Sequence, residues 1–151
     1  MQFIIFCAQY LYLFIVVIAI IFFAFLQNKK SIGITAMFSG AIAYVLAKIS
    51  GHFINSPRPL VAEHIRPLIQ TATDNGFPSD HTLLSMTIAL IVFTYNKKVG
   101  SILIILALMV GIARVFTHSH HWIDILGSIG SSIIGVSIGV YCRKRIVHAR
   151  K

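Results

Sequence analysis

The sequence is short of charge, and shorter still of acid. Only 11% of its 151 residues are charged, against about 25% in an ordinary soluble domain. Four acids stand against 13 lysines and arginines, a net charge of +9. With 57% hydrophobic residues and a mean hydropathy of +0.85, the chain has too little polar surface to dissolve as a globular domain. A water-soluble protein is excluded. Cysteine is scarce too. Cys7 and Cys142 fall near opposite faces of the topology derived below, whereas a disulfide needs Cα atoms within about 7 Å, so they cannot bridge. Positive charge is missing ahead of the first apolar run, where a secretory signal would carry it. The first cations, Lys29 and Lys30, come after that run. It therefore reads as a retained helix with its N-terminus outside. No internal repeat or low-complexity segment is present, and the length fits one membrane-embedded domain over residues 1–151.

What is present is a series of apolar runs. A bilayer core of about 30 Å takes about 20 helical residues. Tyr10–Leu26, Ser31–Ile54, Ser79–Tyr95, Val99–Phe116 and Trp122–Cys142 predict an all-α, polytopic transmembrane bundle of about five spans. The third and fourth cores are short, and a buried core helix is the other reading of each. Charge orients the bundle. Lys29, Lys30, Lys97, Lys98, Arg143, Lys144, Arg145, Arg150 and Lys151 fall in the first and third turns or the tail, with no acid among them. The positive-inside rule puts those nine on the cytoplasmic side, with the C-terminus. The other face receives Lys48, Arg58, Arg66 and Arg114 with all four acids, Glu63, Asp74, Asp80 and Asp124, and is neutral before histidine is counted. The positive balance thus orients a cytoplasmic-membrane protein, and nucleic-acid binding loses its support. Gly127, Ser131, Gly135 and Gly139 recur every four residues, a small-residue stripe that lets another helix approach closely. It serves packing against another span or, alternatively, association with a second copy.

Six of the seven histidines lie on the outer side with every acid. Ionisable groups inside spans default to functional hypotheses. At about 1.5 Å per residue, Lys48 and Arg114 stand more than four turns above the inner face, level with His81 at the top of the third span and His120 and Asp124 at the top of the fifth. Asp124 follows His120 by four residues and shares its helix face. A carboxylate on one ring nitrogen fixes the tautomer and leaves the other nitrogen free to attack. Incidental histidines at a polar helix start are the plain alternative. Pro78-Ser79-Asp80-His81 predicts a helix N-terminus capped by Ser79, which offers free amides and a positive dipole to an anion. Arg58 is held between Pro57 and Pro59. Together these groups form an anion cradle with two histidines, one backed by a carboxylate, and that set suits phosphoryl transfer to histidine. A metal site built from His118, His120, His121 and Asp124 is the reading from another class, but it leaves Arg58 and Arg114 unexplained.

Arg58-Pro59, then Pro78-Ser79-Asp80-His81, then Arg114, His120 and Asp124 at that spacing and in that order resemble the three signatures of the type 2 phosphatidic acid phosphatase superfamily. The resemblance spans roughly residues 48 to 128. The phrases Pro57-Arg58-Pro59, Phe77-Pro78-Ser79-Asp80-His81 and Asp124-Ile125-Leu126-Gly127-Ser128 look most like bacterial undecaprenyl-diphosphate phosphatases of the bacitracin-resistance type. The resemblance implies His120 as the nucleophile that forms a phosphohistidine, Asp124 as its orienting partner and His81 as general acid. It implies Arg58, Ser79 and Arg114 as phosphate ligands, and no cofactor or metal. The implied reaction is hydrolysis of undecaprenyl diphosphate outside the membrane to the monophosphate and phosphate. Phosphatidic acid, phosphatidylglycerol phosphate or a lipid A phosphate are the substrates left open. Gly51 occupies the slot of the family's lysine, so Lys48, one turn lower, is the residue expected to reach the substrate. Ala113 stands where a serine is frequent, and Asp80 where glycine is, beside the substrate.

Overall fold

A computed structural model describes residues 1–148; Arg150 and Lys151 of the expected inner cations lie outside the described residues. Among those residues the regular elements are all helices: α1 (Gln2–Gln9), α2 (Leu11–Ala24), α3 (Lys29–Phe53), α4 (Pro59–Ala62), α5 (Asp80–Tyr95), α6 (Lys97–Phe116) and α7 (Trp122–His148). Each predicted span has its helix. Three of them, α3, α6 and α7, are long and apolar enough to cross a bilayer, and α1 with α2 would make a fourth, broken by a 50° bend. The third predicted span, α5, has only 16 residues, about 24 Å at 1.5 Å per residue. The count supported by length and composition is therefore three or four.

Short polar caps make the turns tight. Asn28 accepts the Ser31 amide at 3.1 Å to start α3, while the Lys29 ammonium takes the terminal carbonyls of α2. Asn96 accepts the Val99 amide at 3.1 Å to start α6 one residue after α5 stops. Arg143 lies over the Tyr95 ring at 5.4 Å, so the end of α7 joins the α5–α6 turn. Phe23 also packs on Tyr95, which brings the α2–α3 turn to the same end. The basic turns are thus gathered together.

Short as it is, α5 is the centre of the bundle and packs on α2, α3, α6 and α7. Ile15 and Ala19 of α2, Met86, Ala89 and Val92 of α5, and Leu103, Ala107 and Val110 of α6 form one buried apolar cluster. On its other side Thr87 donates to Ser132 of α7 at 2.9 Å. Such a link satisfies polar groups that lipid cannot. The small-residue stripe is used within the chain. A Cβ on Gly135 would strike the backbone of Ala43, one on Gly139 would strike Ser39, and one on Gly127 would enter the Phe77 ring. α3 answers with small residues of its own, Thr35, Ser39, Ala43 and Ala47, all buried. The outward faces carry exposed Phe14, Val17, Ile20, Ile21, Ile102, Ile105, Ile133 and Ile134, an apolar belt far beyond the scattered residues a soluble surface shows. Both cysteines are free.

Candidate active site

The site forms where α3 and α6 end and α5 and α7 begin, opposite the basic turns. The turn after α6 explains the first pairing. Thr117 closes the helix by donating to the Ala113 carbonyl at 2.9 Å. His118 then takes a left-handed conformation (φ 55°). The Ser119 and His120 amides both return to the Arg114 carbonyl, at 3.0 and 3.3 Å. The chain doubles back so sharply that His120 lies against Arg114. One residue later α7 starts, and Asp124 in its first turn is fully buried.

Asp124 Oδ2 accepts from His120 Nδ1 at 3.2 Å and from the His121 amide at 2.9 Å. An ionised carboxylate only accepts, so Nδ1 carries the proton and Nε2 keeps its lone pair. That nitrogen faces Arg58 Nη1 at 3.0 Å and Arg114 Nη2 at 3.3 Å. The His120 pKa is lowered, first by burial and further by the two guanidiniums, against the opposing Asp124 contact. The imidazole is therefore neutral at physiological pH. Arg58 is anchored from behind, with Nε on Asp74 Oδ1 at 3.0 Å and Nη1 on the Ser119 carbonyl at 3.1 Å. Arg114 is 7% exposed, and its Nε has no hydrogen-bond partner. A buried guanidinium left short of acceptors has donors to offer an anion. Both arginines and His81 line a cavity of about 320 Å³. The same two cations face the nitrogen a metal would need, which argues against the His118, His120, His121 and Asp124 metal reading. No group of three or more metal-ligating side chains is suitably arranged among the described residues.

The remaining predicted residues separate. Ser79 does sit at the N-cap of α5, but its side chain makes no capping bond. It is fully buried: its hydroxyl accepts from Thr82 at 3.2 Å, its amide donates to the Asp124 carbonyl at 3.3 Å, and its carbonyl accepts from Ser128 at 2.8 Å. Ser79 joins α5 to α7 rather than facing the cavity. Lys48 and Asp80 are not brought to the arginines. Together they line a different, mostly apolar groove of about 440 Å³ between α3 and α5, where the Lys48 ammonium lies 5.2 Å from the Tyr44 ring centre. The reason is helical rotation. Ala43 and Ala47 form the packed face of α3, and Lys48 lies about 100° further round. At Gly51 a Cβ would stand 2.8 Å from the Phe77 carbonyl oxygen, so that slot has no room for a lysine. Asp80 is exposed on that side.

Several participants carry no sequence signal. Gln9, Tyr10, Gln70 and Thr71 line the cavity. Tyr12 packs edge-on against His81, centroids 4.6 Å apart at 82°. Asn75 pins the long outer loop: its Oδ1 accepts the Ser56 and Phe77 amides at 2.9 and 3.1 Å, and its Nδ2 donates to the Gly51 and Ile54 carbonyls at 2.9 Å each. His121 ties the same loop to α7 through Nε2 and the Pro57 carbonyl at 3.1 Å.

A family model for the PAP2 superfamily matches residues 32–149, which contain all eight of the residues picked from the sequence. The chain belongs to the PAP2 superfamily. It is 34% identical over 123 residues to undecaprenyl-diphosphatase BcrC of Bacillus subtilis (strain 168), covering 80% of this chain and 62% of that protein. It is 30% identical over 122 residues to bacitracin transport permease protein BcrC of Bacillus licheniformis, covering 80% of this chain and 60% of that one. An undecaprenyl-diphosphatase of Sulfolobus acidocaldarius is 30% identical over 118 residues, 76% of this chain and 57% of that protein. The PAP2 chain thus aligns with about 60% of the length of these relatives. No solved structure matches it. The matched PAP2 region begins after α2, so the cavity-lining Gln9 and Tyr10, and Tyr12 against His81, come from outside it.

Proposed function

We propose that this chain is an integral membrane lipid phosphatase that hydrolyses undecaprenyl diphosphate, or a closely similar polyprenyl diphosphate, to the monophosphate and inorganic phosphate. The observation that carries the reading is His120 Nε2, unprotonated and facing the two guanidiniums that line the cavity. The names of the relatives in Bacillus and Sulfolobus support the choice of diphosphate.

The terminal phosphate sits between Arg58 and Arg114. Nε2 of His120 attacks phosphorus; the P–N bond forms as the bond to the bridging oxygen breaks, and that oxygen takes the electron pair with a proton from His81. Asp124 holds the Nδ1 proton throughout and balances the positive charge of the phosphorylated ring. Water then attacks phosphorus and gives its proton to His81. The P–N pair returns to Nε2, and phosphate leaves. The arginines act on charge where it develops, as fixed donors that need no reorganisation during the reaction. Apart from the attacking water, every step uses groups of this chain, and the reaction is metal-independent.

Five crossings, with α5 as the short central one, keep the N-terminus outside and the C-terminus inside, and this topology puts the cavity on the extracytoplasmic face of the cytoplasmic membrane. The nine inner cations support that orientation. The lipid tail stays in the bilayer, since the cavity is at the small end of ligand sites, about 300–1,000 Å³. The test is phosphate release from undecaprenyl diphosphate, phosphatidic acid, phosphatidylglycerol phosphate and lipid A phosphate in matched micelles, with EDTA. The diphosphate should have the highest kcat/KM. Dependence on added metal, or a higher kcat/KM for phosphatidic acid, would contradict the proposal.

A further inference from the structure

Two histidines share the proposed chemistry, but only one of them is aimed by a hydrogen bond. Asp124 holds Nδ1 of His120 at 3.2 Å. Among the described residues no such partner holds the His81 ring. The side-chain hydrogen bond that reaches His81, from Ser85 Oγ at 2.7 Å, ends on its backbone carbonyl. What touches the ring is Tyr12 of α2. The two rings meet edge-on, centroids 4.6 Å apart and planes at 82°, an arrangement that aromatic pairs prefer. Tyr12 is itself held in place. It packs against the buried apolar cluster that α2, α5 and α6 share. Ile15, three residues on and fully buried, lies on the same helix face. That cluster also takes Met86 and Ala89 from α5, the helix that carries His81. The Tyr12 ring is therefore a fixed wall against an imidazole that lines the cavity with Arg58 and Arg114.

We propose that Tyr12 is a positioning residue for His81: its ring stops the imidazole from turning away and keeps the general acid aimed at the leaving oxygen. The inference rests on the phosphatase reading above. It deepens that reading by assigning part of the acid's aim to α2, outside the residues 32–149 that match the family. In the first half of the reaction the bond from His120 Nε2 to phosphorus forms as the bond to the leaving oxygen breaks. That oxygen takes the electron pair and the His81 proton. A side chain that only filled space would matter equally to every substrate. One that aims His81 matters in proportion to the leaving oxygen's need for the proton, and that dependence separates the two roles.

The test compares kcat/KM for phenyl phosphate and 4-nitrophenyl phosphate, in the same detergent, for the parent chain, Tyr12→Leu, Tyr12→Phe and His81→Ala. The two substrates are nearly the same size. Phenolate is a strong enough base, with a pKa of about 10 as in tyrosine, to need a proton as it leaves, and nitrophenolate is a much weaker base. Because kcat/KM ends at the first irreversible step, the later attack by water does not enter. Tyr12→Leu should lower kcat/KM about tenfold on phenyl phosphate, a part of the roughly 10²–10⁴-fold a general acid supplies, and less than about twofold on 4-nitrophenyl phosphate. His81→Ala should show the same pattern, larger. Tyr12→Phe keeps the ring and should keep the parent's ratio. An equal loss on both substrates in Tyr12→Leu, or no loss on either, would overturn the positioning role and leave the phosphatase reading intact. An equal loss on both in His81→Ala would overturn the role of His81 and that of Tyr12 with it. A parent that cleaves neither aryl phosphate nor undecaprenyl diphosphate would overturn the phosphatase reading as well. Tyr12→Met carries the same comparison if Tyr12→Leu does not fold.

Discussion

Gly76 has no chemistry of its own, yet a single methyl there should disable the site. Its amide donates to the Ser56 carbonyl at 2.8 Å, which fixes it beside the dyad. A Cβ at this position would stand 2.9 Å from Asp124 Oδ2, 3.2 Å from Arg58 Cγ and 3.2 Å from the Ser56 carbonyl oxygen. None of these can give way freely. Oδ2 is held by His120 and the His121 amide, and Arg58 by Asp74 and the Ser119 carbonyl. Relief of the contact therefore moves the carboxylate off Nδ1 or swings the guanidinium off Nε2. Overpacking of this kind costs about 1–3 kcal/mol of stability, which the bundle can bear. Misplacement of a catalytic group approaching 1 Å costs up to about 10²-fold in rate. We expect Gly76→Ala to lower kcat about 10- to 100-fold while the protein stays folded and monodisperse in detergent. Gly33→Ala and Gly130→Ala are the controls, because a Cβ at either meets nothing within 4 Å. Both replace a helical glycine and should be neutral or stabilising by up to about 1 kcal/mol. The assay is steady-state phosphate release beside a detergent thermal melt. Wild-type kcat in Gly76→Ala would refute the reasoning, because it would mean that the dyad tolerates displacement.

His81→Ala should lose about 10²–10⁴-fold on a lipid diphosphate and recover on an aryl phosphate whose leaving group needs no proton; His120→Ala should not recover, and equal rescue of both would show the roles to be misassigned. Burial and the two arginines depress the His120 pKa, so the ring stays neutral as pH falls past the ordinary histidine value of about 6.5, and charges only below it. An NMR titration of the histidine-labelled protein should therefore find its midpoint below 6.5, and a midpoint above that value would contradict the electrostatic account. Cysteines introduced at Lys97 or Lys98 should label from the cytoplasm only; labelling from the outside would reverse the topology and with it the side of the active site.

The sequence made much of this molecule legible because apolar runs and short polar turns map directly onto helices. Ser31–Ile54 became Lys29–Phe53, and Val99–Phe116 became Lys97–Phe116, differing by a residue or two at the ends. The bend at Tyr10 was not legible, since no glycine, proline or charge interrupts the apolar stretch from α1 into α2. Within the site, Asp124 at four residues after His120 was legible because helix geometry alone makes that pair meet. Arg58 and Arg114 were singled out by burial and proline flanks that make little sense without an anion. Lys48 shows the limit of that method: three residues along the chain is close in sequence but the wrong way round α3, and only the packing of Ala47 and Gly51 fixes which way that helix faces. Ser79 illustrates another, because a capping residue and a helix-joining residue look alike until α7 is packed on α5. Gly76 and Tyr12 touch the site through tertiary contacts alone, so no local pattern marks them.

The central claim is that His120 carries the phosphoryl group, and trapping the phosphoenzyme tests it most directly. The protein is mixed with a ³²P-labelled substrate, quenched in alkali within a turnover, and mapped by peptide mass spectrometry. The account predicts one alkali-stable, acid-labile phosphate on His120. It should be absent in His120→Ala and strongly reduced in Asp124→Asn, which lacks the charge that supports the phosphorylated ring. Label on any other residue, or an active His120→Ala enzyme, would contradict the account.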